Sequence, residues 1–297
     1  MKILSYMNRT DDYPKLGILH RERNAIIPFS ILDIDYPDMM SVIEQMTHAE
    51  FERLNLAQTA AEIPTIPLNS VKLCAPIKKP TQDIICLGIN YAEHQAEAVS
   101  YEKGNLSPKA PYPIYFSKRV NETTDYGDTI PSYPDLVDSL DYEAELAIII
   151  GKNAKNISVE DAHKYIFGYT ILNDITARNL QSRHHQWYFG KSLDGFTPFG
   201  PYITTADELP LPLSLSIRSY VNGELRQDSN TDQMLYSIPH IISELSYGFT
   251  LQAGTIISTG TPAGTGMGMN PPRFLKAGDE VCCEIEGIGT LVNTIGE

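Results

Sequence analysis

The chain has 297 residues, a formal net charge of −14, an apolar share of 42% and a charged share of 20%. These proportions are ordinary for a globular chain and exclude extended disorder, and no run approaches the ~18 consecutive apolar residues of a membrane helix. Such an acidic chain repels nucleic acid and anionic lipid unless it carries a basic patch; its densest basic pairs are only Lys78-Lys79 and Lys118-Arg119, so no nucleic-acid or membrane partner is expected.

The N-terminal MKILSYMNRT turns polar too soon for a secretory signal, so the expected compartment is the cytoplasm. Short strand patterns at Lys2–Tyr6, Leu16–Leu19 and Ala25–Pro28 precede Ser41–Glu62, where Val42, Ile43, Met46, Phe51 and Leu54 recur at helical spacing. Prolines 64, 67, 76 and 80 then mark a linker or extended edge. The expected division is a small N-terminal α+β domain over 1–75 and a larger domain over 76–297.

From Asp83 onward strands dominate: Ile84–Gly88, Ile114–Ser117, Glu145–Ile150, Tyr165–Leu172, Leu213–Val221, Thr255–Ser258, Glu280–Ile285 and Thr290–Thr294, each bounded by Gly, Pro, Asn or Asp. Val221-Asn222-Gly223-Glu224 is a type I′ hairpin signal. Helices are expected at Tyr91–Val99, Val159–His163, Ile175–Trp187 and Met234–Tyr247. The fold class that follows is α+β and β-dominated, without βαβ alternation. Cys74, Cys86, Cys282 and Cys283 lack zinc-ribbon or disulfide spacing and are expected to be buried thiols.

Three segments carry candidate chemistry. Glu143 and Glu145 stand two apart in Asp141-Tyr142-Glu143-Ala144-Glu145, ahead of the apolar run Leu146–Ile150, so they share one face of a strand. They are either water-exposed at a sheet edge or bridged by a hard divalent cation, because two close carboxylates repel. Asp174 ends an apolar strand, where it is either a third oxygen ligand or the N-cap of a following helix. On that expected helix Arg178 and Gln181 follow at four and seven residues, a pair suited to a planar carboxylate. His94 and Glu97 lie three apart on an expected helix, as a surface ion pair or as an imidazole made more basic by its carboxylate. The segment Ser258–Gly268 is too poor in phosphate-loop features to bind nucleotide; its backbone N–H groups and the Thr261 hydroxyl are expected to face a ligand carboxylate.

Taken together, Gly88–Glu97 (GINYAEHQAE), Asp141–Lys152 (DYEAELAIIIGK), Gly168–Gln181 (GYTILNDITARNLQ), Lys191–Pro201 (KSLDGFTPFGP), Ile257–Gly268 (ISTGTPAGTGMG) and Leu275–Gly289 (LKAGDEVCCEIEGIG) resemble the fumarylacetoacetate hydrolase family, in the family's order. The resemblance implies a mixed β-sheet roll as catalytic domain and, usually, a homodimer. It implies Mg²⁺ or Mn²⁺, with Ca²⁺ a further occupant, on Glu143, Glu145 and Asp174. His94 and Glu97 would form a water-activating dyad, Lys191 would stabilise an oxyanion, and Arg178, Gln181, Lys191 and Thr261 would contact a small 2-oxo acid. Residues 94 to about 113 would form a lid. The implied reaction is metal-dependent hydrolysis of a C–C bond in 2,4-dioxo acids such as fumarylpyruvate or another acylpyruvate. The same enolate chemistry would alternatively serve decarboxylation of oxaloacetate, tautomerisation, or isomerisation of 2-hydroxyhepta-2,4-diene-1,7-dioate.

Overall fold

The structure, a computed structural model, describes residues 1–101, 112–184 and 186–297. Its centre is the strand Ala144–Ile150, every residue of which is buried. Side chains alternate across a strand, so an unbroken apolar run has to be covered on both faces. Leu146, Ile148 and Ile150 face a core shared with Ile217, Val281, Cys283, Ile285 and Leu291 of a second sheet and with Ile241, Ile242 and Leu245 of the helix Ile238–Gly248. Ala147 and Ile149 face the opposite core, built with Ile3, Ile18, Ile27, Val42, Ile43 and Leu54 from the N-terminal segment.

The large sheet has 11 strands, in the order Ile66–Pro67, Ala25–Pro28, Lys15–Leu19, Lys2–Met7, Phe199–Thr205, Ile166–Asn173, Ala144–Ile150, Ile256–Ser258, Ile84–Gly88 and Ile114–Lys118, with Lys72–Cys74 also paired to Lys2–Met7. The N-terminal strands therefore continue the sheet through the antiparallel pairing of Lys2–Met7 with Phe199–Thr205. One pairing in this sheet is parallel, Ile256–Ser258 beside Ile84–Gly88 with Ser258 opposite Cys86. Both strands thus run out of the sheet at the same end. A 5-stranded sheet, ordered Glu224–Asn230, Ser216–Val221, Glu280–Ile285, Gly289–Ile295 and Thr129–Ile130, packs against the first face. Asn222 and Gly223 both have positive φ in the hairpin that sets Val221 opposite Glu224, as the Asn-Gly pair requires.

Several expected helices differ in extent. Ser41–Glu62 is two helices, Met39–Gln45 and His48–Ala57, because Thr47 caps the second: its hydroxyl accepts the Glu50 N–H while the Glu50 carboxylate accepts the Thr47 N–H. Met234–Tyr247 begins only at Ile238, since Thr231–Gln233 forms a separate 3-10 turn and Pro239 favours the first turn of a helix. Val159–His163 is a 3-10 turn at Ala162–Tyr165. Ile175–Trp187 is interrupted: Thr176–Ala177 pairs with Leu140–Asp141, and the helix starts at Arg178. Cys74, Cys86 and Cys283 are buried and Cys282 is half-buried; all four are free thiols.

Candidate active site

Glu143, Glu145 and Asp174 come together at the start of the central strand and the end of its neighbour, with ligand oxygens all within 4.8 Å of one another. Antiparallel pairing puts Ala144 opposite Asn173. The junction is held by the Glu143 N–H donating to Asn173 Oδ1 at 3.1 Å and the Asp174 N–H donating to the Glu143 carbonyl at 2.9 Å. All three residues are buried, which removes the water-exposed edge as an account of the glutamates. Asp174 is not the N-cap either: the helix begins four residues later, its N-cap is Ala177, and Arg178 and Gln181 share a helix that does not include Asp174.

Three cations enter the cluster. Lys191 places Nζ 2.6 Å from Glu143 Oε2 and 2.7 Å from Asp174 Oδ2. Arg178 lies 2.7 Å from Glu143 Oε1 through one terminal nitrogen, donates from Nε to Asp141 Oδ2 at 2.9 Å, and donates from its other terminal nitrogen to Gln181 Oε1 at 3.1 Å. Lys118, fully buried, stands 2.7 Å from Asp174 Oδ1 and donates to the backbone carbonyls of Ile175 and Lys191. The sequence marked Lys118 only as half of a basic pair, and marked Asp141 only as the head of its motif. Their partners lie 56 and 37 residues away in Asp174 and Arg178, a distance no local pattern spans.

Four carboxylates, Asp141, Glu143, Glu145 and Asp174, thus face three cations, and the unmatched one is Glu145. Its Oε2 accepts the Ser258 hydroxyl and, at 3.1 Å, the Gly260 N–H. Burial, then the charges of Asp174 and Glu143, push its pKa well above the ordinary carboxylate range. Burial would also raise Glu143, but Lys191 and Arg178 outweigh it and pull that group down to about 2. An all-oxygen set with one uncompensated negative charge fits a hard divalent cation such as Mg²⁺ or Mn²⁺, which would bring the missing positive charge. Soft metals want nitrogen or sulfur donors that this cluster does not offer.

A narrow cavity opens on the cluster and is lined by Glu143, Glu145, Arg178, Gln181, Lys191, Thr261 and His94 on its polar side. Its apolar side includes Leu87, Ile89, Ala98, Phe116, Trp187 and Met267. His94 is 5% exposed, so it is no surface ion pair; its Nδ1 lies 3.2 Å from Glu97 Oε2. The helix carrying both, Ala92–Tyr101, follows the parallel strand Ile84–Gly88, while Thr261 follows the other parallel strand. The topology thus brings His94 and Thr261 to one wall across 167 positions of sequence. Residues 102–111, about half of the expected lid, lie outside the described residues.

The glycine-rich loop differs from expectation. Thr261 Oγ1 donates to the Ala144 carbonyl at 2.9 Å and accepts from Gln227 at 2.7 Å, so the protein itself engages the hydroxyl. The N–H of Gly264 donates to Glu97, and those of Gly266 and Met267 donate to Asp141. These groups face carboxylates of the chain, not of a ligand.

A family model described as fumarylacetoacetate (FAA) hydrolase C-terminal matches residues 83–296. Oxaloacetate tautomerase YisK of Bacillus subtilis (strain 168) is 47% identical over 229 residues, covering 77% of this chain and 74% of that protein. Among solved structures, the fumarylacetoacetate hydrolase of Exiguobacterium antarcticum superposes with a TM-score of 0.83 at 36% identity, covering 100% of this chain and 99% of that one. Maleylpyruvate hydrolase from Sphingobium sp. SYK-6 gives 0.75 at 29% identity, with 100% and 99% covered. With three buried carboxylates beside a small cavity and a family match over most of its length, the chain is an enzyme that belongs to the fumarylacetoacetate hydrolase family.

Proposed function

We propose that the protein catalyses divalent-metal-dependent keto–enol chemistry on small 2-oxo acids, with proton transfer on an oxaloacetate-like acid as its reaction. The observation carrying this reading is that His94, oriented by Glu97, lines the same cavity as Glu143 and Glu145. A Mg²⁺ or Mn²⁺ held by Glu143, Glu145 and Asp174 would act as a Lewis acid toward a 2-oxo group and favour its enol form. The similarity to an oxaloacetate tautomerase supports proton transfer as the outcome.

The residues then divide the work. Glu97 fixes the His94 ring through Nδ1, which leaves Nε2 to take a proton from the carbon beside the 2-oxo group and deliver it to the 2-oxo oxygen, or to carry it the opposite way from the enol. Lys191 and Arg178, held between carboxylates, keep the anionic wall from repelling an anionic substrate and offset charge developing on oxygen. Gln181 and Thr261 line the approach to the cluster. Leu87, Phe116 and Trp187 limit water at the opposite wall. In this reading residues 76–297 form the catalytic domain, residues 1–75 a smaller domain that extends its sheet, and the protein works as a homodimer.

A second reading is hydrolysis of 2,4-dioxo acids, favoured by the same His94–Glu97 contact, since a base oriented in this way can also deprotonate water. A substrate panel separates the two. With Mn²⁺ present, the decay of enol absorbance for oxaloacetate is followed beside cleavage of acylpyruvates and fumarylpyruvate and turnover of a hydroxydienedioate, each with an EDTA control. EDTA-sensitive acceleration on oxaloacetate alone supports tautomerisation, cleavage of the dioxo acids supports hydrolysis, and no EDTA-sensitive turnover on any member overturns both.

A further inference from the structure

Asp141 makes no contact with the cavity, yet its carboxylate is the most fully engaged in the site. It is completely buried, and four donors converge on it. Oδ1 accepts the N–H of Gly266 at 2.7 Å and of Tyr142 at 2.9 Å; Oδ2 accepts the N–H of Met267 at 3.0 Å and Nε of Arg178 at 2.9 Å. This carboxylate therefore grips the guanidinium that reaches Glu143 through Oδ2, and the backbone of the loop Gly264–Gly268 through both oxygens.

That loop continues to the dyad. The Gly264 N–H donates to Glu97 Oε1 at 2.8 Å, leaving Oε2 for His94. The hydroxyl of Tyr142, next in sequence to Asp141, donates to the Gly264 carbonyl at 2.8 Å and fixes the same residue. Close approach is built in: a Cβ on Gly266 would lie 2.7 Å from Asp141 Oδ1, and one on Gly268 would lie 2.2 Å from the Glu97 carboxylate carbon. An ion pair joins Glu143 to Arg178, and hydrogen bonds continue from Arg178 through Asp141, the loop backbone and Glu97 to His94.

We propose that Asp141 is a positioning residue, which holds the Gly264–Gly268 loop against Glu97 and so keeps the His94–Glu97 pair in register with the carboxylate cluster. The inference rests on the reading of His94 and Glu97 as the proton-transfer pair. A carboxylate is required because all four neighbours are donors; an amide offers one oxygen, and its NH₂ would confront two of them.

The test uses Asp141→Asn, Gly268→Ala and Glu97→Gln in the full chain. Gly268→Ala pushes on the Glu97 carboxylate without touching Asp141, and it keeps the test open should Asp141→Asn fail to fold. At saturating Mn²⁺, Asp141→Asn should lower kcat about 30- to 100-fold, at or just below the low end of general acid–base effects, since the pair is displaced and not removed. Combined with Glu97→Gln it should lose no more than the larger single loss, because residues acting through one another are not additive. A purely structural role would instead give additive losses. The ring ¹⁵N resonances of His94, read without turnover, should move in both Asp141→Asn and Gly268→Ala. Additive losses in the double variant, or His94 resonances identical to wild type in the folded variants, overturn the inference. Wild-type inactivity on every substrate would count against the proposed function alone, since the resonance measurement still decides the role of Asp141.

Discussion

Replacing Glu145 with Gln should stabilise the cation-free protein above about pH 5 and destabilise the cation-loaded one relative to wild type. The two protein hydrogen bonds to Glu145 fall on the single oxygen Oε2, so an amide oxygen can keep both. Only the charge is lost. Burial and the neighbouring charges of Asp174 and Glu143 raise the Glu145 pKa well above its reference of 4.5, so the folded state retains a proton that the unfolded chain releases. Stability from such a group is complete below the unfolded pKa and falls as pH rises toward the folded pKa, by about 1.4 kcal/mol per pH unit. Gln, which does not titrate, is spared this cost. The variant should therefore melt at a higher temperature than wild type in EDTA, by a margin that widens as pH rises toward the folded pKa of Glu145. Glu143 does not blur this window, since its depressed pKa of about 2 confines its own contribution to more acid pH. Saturating Mn²⁺ should reverse the order, because a ligand at about 100 times its Kd stabilises the native state by about 2.7 kcal/mol and the variant lacks one of the three carboxylates proposed to hold the cation. Thermal melts of both proteins across pH 5.5–8, with EDTA and with Mn²⁺, make the measurement. Parallel pH slopes in EDTA, or equal stabilisation of both proteins by Mn²⁺, would refute the reasoning.

Other perturbations address the remaining assignments. His94→Ala should lower kcat by at least about 100-fold on the substrate the enzyme turns over while leaving Mn²⁺ binding intact, and near-wild-type turnover would remove the dyad. Asp174→Ala should remove Mn²⁺-dependent activity; calorimetry showing unchanged Mn²⁺ affinity would take Asp174 out of the ligand set. Gly88→Ala should displace Trp187, whose ring would lie 2.0 Å from the added Cβ. As this is the chain's single tryptophan, its emission should shift, and an unchanged spectrum in the folded variant would show that the ring does not pack as described.

The β-dominated α+β class was legible from the strand pattern, and so was the hairpin at Asn222-Gly223, because both follow from local periodicity and turn chemistry. The pairing of Glu143 with Glu145 was legible for the same reason: two residues apart on a strand means one face. What local pattern could not show was termination. The Thr47 capping box breaks an apolar stripe that otherwise reads as one helix, and the short pairing of Thr176–Ala177 with Leu140–Asp141 replaces what propensity extends as helix. Asp141 and Lys118 were passed over because a charged residue is marked as functional by its partners, and theirs are remote in sequence. In the sequence alone the N–H groups of the loop after Ser258 have no visible partner and point to a ligand; folding turns them onto Glu97 and Asp141.

The single parallel pairing of the large sheet has a consequence for how the enzyme matures. Glu145 meets Ser258 and Gly260 across 113 and 115 residues, through a strand that joins the sheet beside Ile84–Gly88. Contacts of such long range close late, after the entropy of the intervening loop has been overcome. On a ribosome the three carboxylates therefore emerge well before the segment that completes their surroundings. A growing chain therefore holds the three carboxylates before it holds the strand that completes their surroundings.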